Sequence, residues 1–310
     1  MALIDRFCRP MHTLAGFVRK IWFLFPNDEL FLRIIYRLEM GHWLDLKNPQ
    51  TFTEKIQWLK LYDRKPEYTR MVDKITAKEY VSEIIGKEYI IPTLGVWDHF
   101  EDIDFSMLPD AFVLKTNHGS GGSDVVICRD KTNFDYLEAK RILERSLKGN
   151  CYHKYREWPY KDVKPQIFAE ELLAEVKDDN IQTKSVKNSE IFDYKFFCFD
   201  GKVKFYKIDF GRFINHHANY YSVNGEFLDF CEKDFPSSNS TIIEIPPNID
   251  KMINLSEKLS EGFRFLRVDL YNIAGRIYFG ELTFYPASGF ELFEPAESDK
   301  DIGKFLKLRI

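Results

Sequence analysis

Apolar and polar positions follow two different periods along the chain, one helical and one extended. Over the first ~90 residues the apolar positions recur at helical spacing. The pattern predicts a helix over 53–60, which Thr51 would cap, and a second over 71–85 that ends at Gly86. From Tyr89 onward, runs of β-branched and aromatic residues between turn residues predict strands. The sequence therefore predicts a helical beginning and a strand-rich remainder.

The strand-rich part contains one clear hairpin signal. Asp200-Gly201 lies between two apolar runs and is typical of a two-residue hairpin turn. The predicted strands cover 90–92, 112–116, 125–128, 167–173, 194–199 and 203–210, and the predicted helices cover 134–147 and 248–259. A last pair of strands follows the second of these helices.

That last pair carries a pattern of charged residues. Asp269 and Glu281 end two apolar segments, and the residues between the segments, 272–276, suit a hairpin turn. In an antiparallel hairpin the two carboxylates would face each other, on the side that Arg267 shares because the strand period is two. Facing carboxylates repel unless a cation lies between them, and Mg²⁺ binds such oxygens while keeping positions open for phosphate. The alternative is a surface ion pair between Arg267 and one carboxylate.

A glycine-rich segment, 115–123, lies between two predicted strands. Its glycines allow successive N–H groups to converge on an anion, and the hydroxyls of Ser120 and Ser123 can add donors. The segment is neither a Walker P-loop, because Lys115 precedes the glycines, nor a Rossmann fingerprint. It is either an anion-binding loop or a flexible turn. His118 within it is either an acid–base group or a residue that lines the loop.

Composition excludes some classes of protein. The net charge of -4 gives no basic field for nucleic acid. No segment has the roughly 20 apolar residues of a transmembrane helix. The cysteines are odd in number and scattered, without a close pair, which predicts reduced thiols in a cytoplasmic protein; they are Cys8, Cys128, Cys151, Cys198 and Cys231.

The N-terminal sequence suggests that the protein also contacts a membrane. Arg6, Arg9, Arg19 and Lys20 surround the aromatic and aliphatic residues of 17–25. Such a segment can dock peripherally on an anionic membrane, which would place the protein at the inner face of the membrane. Alternatively, its aromatic face packs on the rest of the protein.

Taken together, the motifs resemble those of the ATP-grasp superfamily and, within it, the TupA-like branch associated with cell-surface polysaccharide synthesis. They are 53–60, Val72-Asp73-Lys74, 112–121, 193–202, 267–271 and 279–283, and the resemblance extends from about Pro49 onward. It implies an α+β ATP-grasp fold, in which two α+β subdomains clamp ATP and a helical N-terminal region precedes them. The implied regions are 1–90, the helical region; 91–164, the glycine-loop subdomain; and 165–310, the C-terminal subdomain with the metal site.

The resemblance also implies roles for individual residues. Lys115 would hold ATP phosphates together with an upstream lysine, Lys74 or Lys78, of which Lys74 is preferred. The segment 168–173 would line the purine, and Glu170, Glu171 or Glu175 would take a ribose hydroxyl. The implied nucleotide-binding set is Lys74, Lys115, Gly119, Ser120, Gly121, Gly122, Glu170, Glu171 and Lys195.

The implied metal ligands are Asp269 and Glu281, with Thr283 where many ATP-grasp enzymes have an asparagine. Arg267 would steady an acyl phosphate, and Arg267, Lys115 and Arg212 form the implied catalytic set. Arg212, His216 and His217 follow a predicted strand and are candidates to face the acceptor; the alternative for the two histidines is that they are solvated loop residues.

The expected activity is that of an ATP-dependent carboxylate–amine ligase, which uses ATP and Mg²⁺ and forms an amide through an acyl phosphate. Its substrate would be a small molecule or glycan with a carboxylate and an amine, for example a uronic acid or another glycan building block in surface polysaccharide synthesis. Two alternatives are an ATP-dependent glycan kinase and a metal-dependent glycosyltransferase, for which Asp102-Ile103-Asp104 would serve as a DxD motif.

Overall fold

Two antiparallel sheets, of six and four strands, organise the chain, and each lies in its own compact unit. The structure is a computed structural model that describes residues 10–119, 122, 124–173, 191–211, 215–238 and 243–309. The glycine-loop unit comprises Lys65–Tyr152 and Trp158–Ala174. The six-stranded unit comprises the described residues of Met1–Arg64, His153–Glu157 and Glu175–Ile310.

The elements in chain order mix helices and strands throughout. The helices are α1 Pro10–Lys20, α2 Asp28–Met40, α3 Phe52–Tyr62, α4 Glu67–Val72, α5 Thr76–Ile85, α6 Tyr136–Leu147, α7 Cys151–Tyr155, α8 Ile249–Leu259 and α9 Glu297–Gly303. The strands are β1 Thr93–Trp97, β2 Phe112–Thr116, β3 Val125–Cys128, β4 Ile167–Glu171, β5 Asp193–Phe199, β6 Lys202–Phe210, β7 His217–Ser222, β8 Phe227–Leu228, β9 Cys231–Glu232, β10 Phe265–Ile273, β11 Arg276–Thr283 and β12 Phe293–Glu294. The α+β prediction is confirmed.

The glycine-loop unit is a four-stranded sheet with helices. Its strand order is β1-β4-β2-β3, with every neighbouring pair antiparallel. Phe112 and Leu114 of β2 and Ile167 of β4 belong to a buried cluster with Ala139 and Leu143 of α6. The cluster holds β2 and β4, and with them Lys115 and Glu170, in one rigid sheet.

The six-stranded sheet has the order β11-β10-β5-β6-β7-β8, again with every neighbouring pair antiparallel. One face packs on α8, where Cys198 Sγ lies 3.8 Å from the Ser256 carbonyl. On the opposite face Phe199 packs against Phe52 of α3 with ring centroids 6.0 Å apart. Because side chains alternate along β5, Lys195 shares this second face with Phe199. The second face is therefore aromatic at one end and charged at the other.

The capped start of α3 and both predicted hairpins are confirmed. Thr51 and Glu54 form a capping box at the start of α3. Asp200 and Gly201 both adopt positive φ, 47° and 73°, at the turn between β5 and β6. The final hairpin pairs Asp269 with Glu281 across β10 and β11.

Two predicted elements differ from the structure. The helix predicted over 71–85 is two helices, because α4 ends at Val72 and α5 begins at Thr76. Between them the Asp73 carboxylate accepts the N–H of Ile75 at 2.9 Å, a local turn that competes with helix. The strand predicted at 90–92 is instead the approach to β1, which begins at Thr93.

The two units are bounded differently from the three predicted regions. β4 pairs with β1 and β2 in the glycine-loop unit rather than with the strands that follow it. The helices before residue 64 belong with the six-stranded unit, because Thr53 donates to Asp299 at 2.6 Å and Lys55 donates to the carbonyls of Gly303 and Leu306. Long-range polar contacts of this kind leave no local trace in the sequence.

Candidate active site

In the glycine-loop unit two lysines share one buried glutamate. Lys115 Nζ lies 2.5 Å from Glu170 Oε2, and Lys78 Nζ lies 2.6 Å from Glu170 Oε1. Burial would raise the pKa of Glu170, but Lys115 and Lys78 outweigh it and hold that pKa below its ordinary value. Burial lowers the pKa of Lys78. Glu170 is therefore an anion that places two ammonium groups side by side.

The two lysines differ in their freedom. Lys78 also donates to the Ile91 carbonyl at 2.9 Å and to Thr93 Oγ1 at 2.8 Å, so its three donors are satisfied by protein. The Lys115 side chain is 21% exposed, which leaves it the more accessible of the two. Lys115 can therefore meet an incoming anion while Lys78 supports it.

Lys74 lies against the glycine-rich segment, where its N–H donates to the Asn117 carbonyl at 3.0 Å. Its Nζ is 3.3 Å from Asp124 Oδ2, and Asp124 also accepts from Thr116 Oγ1 at 3.1 Å. Lys78 rather than Lys74 thus lies beside Lys115 in this structure. Which of these two lysines binds phosphate together with Lys115 stays a prediction.

The described part of the glycine-rich segment closes tightly on Asp124. A Cβ on Gly119 would lie 1.8 Å from Asp124 Oδ2, so only glycine permits this approach. Gly122 has a φ of 75°, which also favours glycine. Ser120, Gly121 and Ser123 lie outside the described residues.

His118 anchors this segment to the end of α6. Its Nε2 lies 3.2 Å from the Ser146 carbonyl and 3.1 Å from the Gly149 carbonyl. Burial lowers the pKa of His118, so the neutral ring is favoured and Nε2–H donates to these carbonyls. The contacts favour the interpretation that His118 lines the loop.

In the six-stranded unit, charged residues form a row across the sheet. Glu281, Asp269, Lys195, Lys207 and Tyr220 are successive neighbours on β11, β10, β5, β6 and β7. All of these residues except Glu281 are buried. A sheet face that buries charges must pair them, because unpaired buried charge costs several kcal/mol.

Arg267 binds the carboxylates at one end of the row. Its Nε and Nη2 donate to Asp269 Oδ1 and Oδ2 at 2.7 and 2.8 Å, a bidentate pair. The same Nη2 lies 2.8 Å from Glu281 Oε1 and 3.1 Å from Thr283 Oγ1. Thr283 Oγ1 in turn lies 3.0 Å from Glu281 Oε1. The residues predicted as metal ligands are therefore together, and Arg267 bridges them.

Lys195 is the second cation that pairs with the Asp269 carboxylate. Its Nζ lies 2.6 Å from Asp269 Oδ2, pairs with Asp193, and lies 3.6 Å from Asp209 Oδ2. Burial would lower the pKa of Lys195, yet Asp193 and Asp269 raise it above its ordinary value. Burial would raise the pKa of Asp269, and Arg267 and Lys195 instead hold it low. Lys195 is thus a fixed cation within the sheet.

Sequence reasoning missed the far end of the row. Glu232 Oε1 lies 2.5 Å from both Lys207 Nζ and Tyr220 Oη. Lys207 lies one cross-strand step from Lys195, and the alternation of β6 could have shown that it shares the charged face. No local motif marks Glu232, because it comes from the short strand β9.

The cluster has more carboxylates than cations. Five acids against three cations leave a formal charge of -2 when all are ionised; they are Asp193, Asp209, Glu232, Asp269 and Glu281 against Lys195, Lys207 and Arg267. The Glu281 side chain is 39% exposed, so one carboxylate of the pair is accessible. Within the described residues no group of three or more His, Cys, Asp or Glu is arranged to hold a metal. Asp269 and Glu281 supply the carboxylate oxygens that a divalent cation prefers, and in this structure Arg267 pairs with both.

The other residues predicted for the site make fewer contacts with these charged residues or lie outside the described residues. Glu171 is exposed, whereas Glu170 is occupied by the two lysines. Arg212 and Glu175 lie outside the described residues. His216 Nε2 lies 3.6 Å from Asp209 Oδ1, and His217 Nδ1 lies 2.8 Å from the Pro236 carbonyl.

The DxD candidate, Asp102-Ile103-Asp104, is part of a surface turn. Asp104 is exposed and accepts from the N–H and hydroxyl of Ser106 at 3.0 and 2.6 Å. Ile103 between the two acids is buried. The carboxylate of Asp104 thus caps a short helical turn.

The α+β fold, the glycine loop with its lysine and the hairpin with its two carboxylates are typical of the ATP-grasp superfamily. The family described as TupA-like ATPgrasp matches residues 54–307, most of the chain. The chain belongs to the TupA-like ATP-grasp family. The match confirms the resemblance to this family.

The similarity of this chain to solved structures is weaker than its match to the family. The D-alanine–D-alanine ligase from Bacillus anthracis complexed with ATP is 16% identical, with a TM-score of 0.37, and the alignment covers 69% of this chain and 53% of that one. The N5-carboxyaminoimidazole synthetase from Staphylococcus aureus complexed with ADP is 14% identical, with a TM-score of 0.44 and coverage of 83% and 56%. The ATP-grasp ligase PsnB complexed with minimal precursor is 12% identical, with a TM-score of 0.37 and coverage of 75% and 59%.

This chain therefore spans little more than half the length of these structures. At such TM-scores the family assignment rests on the sequence match. A search of curated protein sequences finds no match to the chain.

The two carboxylates of the hairpin should respond differently to neutralisation. Asp269→Asn should lower the free energy of unfolding by about 3 kcal/mol, because it leaves buried Arg267 and Lys195 without their shared anion. Glu281→Gln should change it by less than about 1 kcal/mol, because that side chain is partly solvated. Urea denaturation followed by circular dichroism measures both, and equal losses would contradict the assigned difference in burial.

Proposed function

We propose that the protein is an ATP-dependent carboxylate–amine ligase that forms an amide through an acyl phosphate. The observation that carries the proposal is the hairpin cluster, in which Arg267 binds Asp269, Glu281 and Thr283 together. Phosphoryl transfer needs positioning and charge neutralisation more than covalent chemistry from the protein. A site of fixed guanidinium and carboxylates is suited to that task.

Lys115 would bind phosphate oxygens of ATP. Its ammonium is accessible and already faces an anion, the Glu170 carboxylate at 2.5 Å. A phosphate group could bind the same ammonium, because Lys78 would still balance the negative charge of Glu170. Glu170 would then position the lysines, and Glu171, which is exposed, remains the better candidate for a ribose hydroxyl.

Asp269 and Glu281 would hold Mg²⁺, with the Thr283 hydroxyl or water completing its coordination. A bound Mg²⁺ neutralises charge on the phosphate oxygens of ATP. Glu281 would be the ligand free to turn toward it, and Lys195 would keep the Asp269 carboxylate ionised and in place.

Arg267 would steady the negative charge of the acyl phosphate. Its guanidinium is always charged, is buried, and has further N–H donors besides those that bind Asp269 and Glu281. A substrate carboxylate attacks the γ-phosphorus and forms the mixed anhydride with release of ADP. An amine then attacks the acyl carbon, and inorganic phosphate leaves.

The proposed substrate is a glycan building block with a carboxylate or an amine, such as a uronic acid, used in surface polysaccharide synthesis. This choice rests on the link to surface polysaccharide synthesis that the resemblance to the TupA-like branch implies. Arg212, His216 and His217 are the proposed contacts of the acceptor, and His216 lies beside Asp209 of the charged cluster. The proposed location is the cytoplasm, where ATP and reduced cysteines coexist.

Replacement of each candidate lysine should identify the partner of Lys115. Lys78→Met should weaken ATP binding by about tenfold or more, because Glu170 would then draw Lys115 away from phosphate. Lys74→Met, a matched removal of one ammonium from the same unit, should have a smaller effect. Fluorescence titration with an ATP analogue measures both, and the reverse order would restore Lys74 as the partner.

Hydroxylamine should distinguish the ligase from a kinase. With ATP, Mg²⁺ and candidate uronic acids, hydroxylamine should intercept the acyl phosphate and yield a hydroxamate without the natural amine. ADP and inorganic phosphate should appear in equal amounts. A product that retains stable phosphate would reject the ligase and indicate a glycan kinase, and nucleotide release from a sugar donor without ATP would indicate a glycosyltransferase.

A further inference from the structure

Helix α3 buries a row of polar side chains. Like every other helix in the part of the chain that the structure describes, α3 is not long and apolar enough to span a membrane. Thr53, Gln57 and Lys60 recur at spacings of four and three, so they share one face of α3, and all three are inaccessible to solvent. A lysine is almost never fully buried unless it is paired. The polar row therefore needs partners on the surface that α3 covers.

Gln57 and Lys60 both hold the turn 286–289, which follows the carboxylate hairpin. Gln57 Nε2 donates to the carbonyls of Gly289 and Ser288 at 2.7 and 3.1 Å. Lys60 Nζ donates to the Ser288 carbonyl at 2.6 Å. All of these residues belong to the six-stranded unit. The motif 53–60 thus meets the end of the hairpin through two buried side chains.

The turn 286–289 has an unusual backbone. Ala287, Ser288 and Gly289 adopt φ angles of 45°, 54° and 67°, and two of these three residues are not glycine. In this left-handed region the Cβ of an L-residue lies close to the next carbonyl oxygen, so the conformation persists only where the surroundings impose it. Such residues are concentrated at active sites and ligand-binding sites. The donors from α3 therefore fix a conformation that the turn would not keep by itself.

The turn places the Ser288 hydroxyl against a buried carboxylate. Ser288 Oγ donates to Glu157 Oε1 at 2.5 Å, and Glu157 is buried. A hydroxyl has one donor and two acceptor lone pairs, and among the described residues no other hydrogen bond to this hydroxyl is found. Ser288 is partly exposed. A ligand that binds the Ser288 oxygen must therefore bring an N–H or O–H donor.

Ser288 lies near the hairpin at which the reaction is proposed. The turn begins three residues after Thr283, the last residue of β11. Burial raises the pKa of Glu157 above its ordinary value, and the negative charge of Glu281 raises it further, although Lys60 lowers it. Glu157 and Glu281 are thus close enough to interact. The hydroxyl that binds Glu157 is therefore in the neighbourhood of the proposed metal ligands.

We propose that Ser288 binds the attacking amine of the acceptor and that Gln57 and Lys60 are positioning residues that hold Ser288 in place. The amine would donate an N–H to the Ser288 oxygen while the Ser288 hydroxyl stays bonded to Glu157. Of the three reacting groups only the amine brings donors, because the substrate carboxylate and the γ-phosphate of ATP are acceptors. This contact rests on the ligase reaction proposed above, since it is a contact of that reaction's amine.

The hydroxylamine reaction with ATP, Mg²⁺ and glucuronic or galacturonic acid tests the contact, because hydroxylamine itself then acts as the amine. Ser288→Ala should raise the KM for hydroxylamine by about fivefold, which corresponds to the loss of roughly one hydrogen bond. The KM values for ATP and for the uronic acid should stay the same. Ser222→Ala is the matched control, because the Ser222 hydroxyl also lies beside a carboxylate, that of Glu226 at 3.4 Å, and ends β7 of the same sheet. It should leave all three KM values unchanged.

Gln57→Met and Lys60→Met test the positioning role. Each variant removes donors to the turn, so each should raise the KM for hydroxylamine by about fivefold. In the Ser288→Ala background the same replacements should raise it no further, because they act through Ser288. A merely structural role would instead lower the maximal rate through a smaller folded fraction and leave this KM unchanged. Thermal unfolding followed by circular dichroism measures the folded fraction, and Gln57→Met decides the question if Lys60→Met does not fold.

The outcomes separate this contact from the ligase reaction. Hydroxamate formation with an unchanged KM for hydroxylamine in Ser288→Ala, or with an equal rise in Ser222→Ala, would refute the contact and leave the ligase standing. Additive effects of Gln57→Met and Ser288→Ala on this KM would refute the positioning role. No hydroxamate from the unmodified protein would overturn the ligase and, with it, the amine contact.

Discussion

The charged half of the six-stranded sheet depends on one interaction, the bidentate pair between Arg267 and Asp269. Asp269 faces Glu281 across the hairpin, and two carboxylates in that position would repel without a cation between them. Arg267 reaches both carboxylates, and Lys195 shares the Oδ2 atom of Asp269 with Arg267. The aromatic residues at the other end of the same face and the helix α8 behind it hold these strands in register. The site is therefore a rigid arrangement of opposite charges within a packed sheet.

The glycine-loop unit also depends on the pairing of buried opposite charges. One buried carboxylate, Glu170, holds Lys78 and Lys115 together, although two ammonium groups alone would repel. In each unit the buried charges are paired before any ligand is present, and one member of the pairing, Lys115 or Glu281, is partly exposed to solvent. Compensation of this kind lowers the reorganisation needed when a phosphate or a cation binds.

The sequence predicted those parts of the site that depend on short-range pattern. The facing of Asp269 and Glu281 follows from strand period and hairpin length, and the capping box at Thr51 follows from a local motif. The pairing of Lys78 with Glu170 could not be predicted, because a break at Asp73 sets where α5 begins and β4 inserts between β1 and β2. Glu232 was missed for a similar reason, since a two-residue strand has no periodicity to detect.

Calorimetry of ATP binding with and without Mg²⁺ tests most directly whether the hairpin is a metal–phosphate site. Mg²⁺ should strengthen ATP binding to the parent protein and to Glu261→Gln, an exposed control away from the cluster. In Glu281→Gln, folded to the same degree, Mg²⁺ should give little or no strengthening, because the accessible ligand is lost. An undiminished effect of Mg²⁺ in Glu281→Gln would contradict a metal–phosphate site at the hairpin.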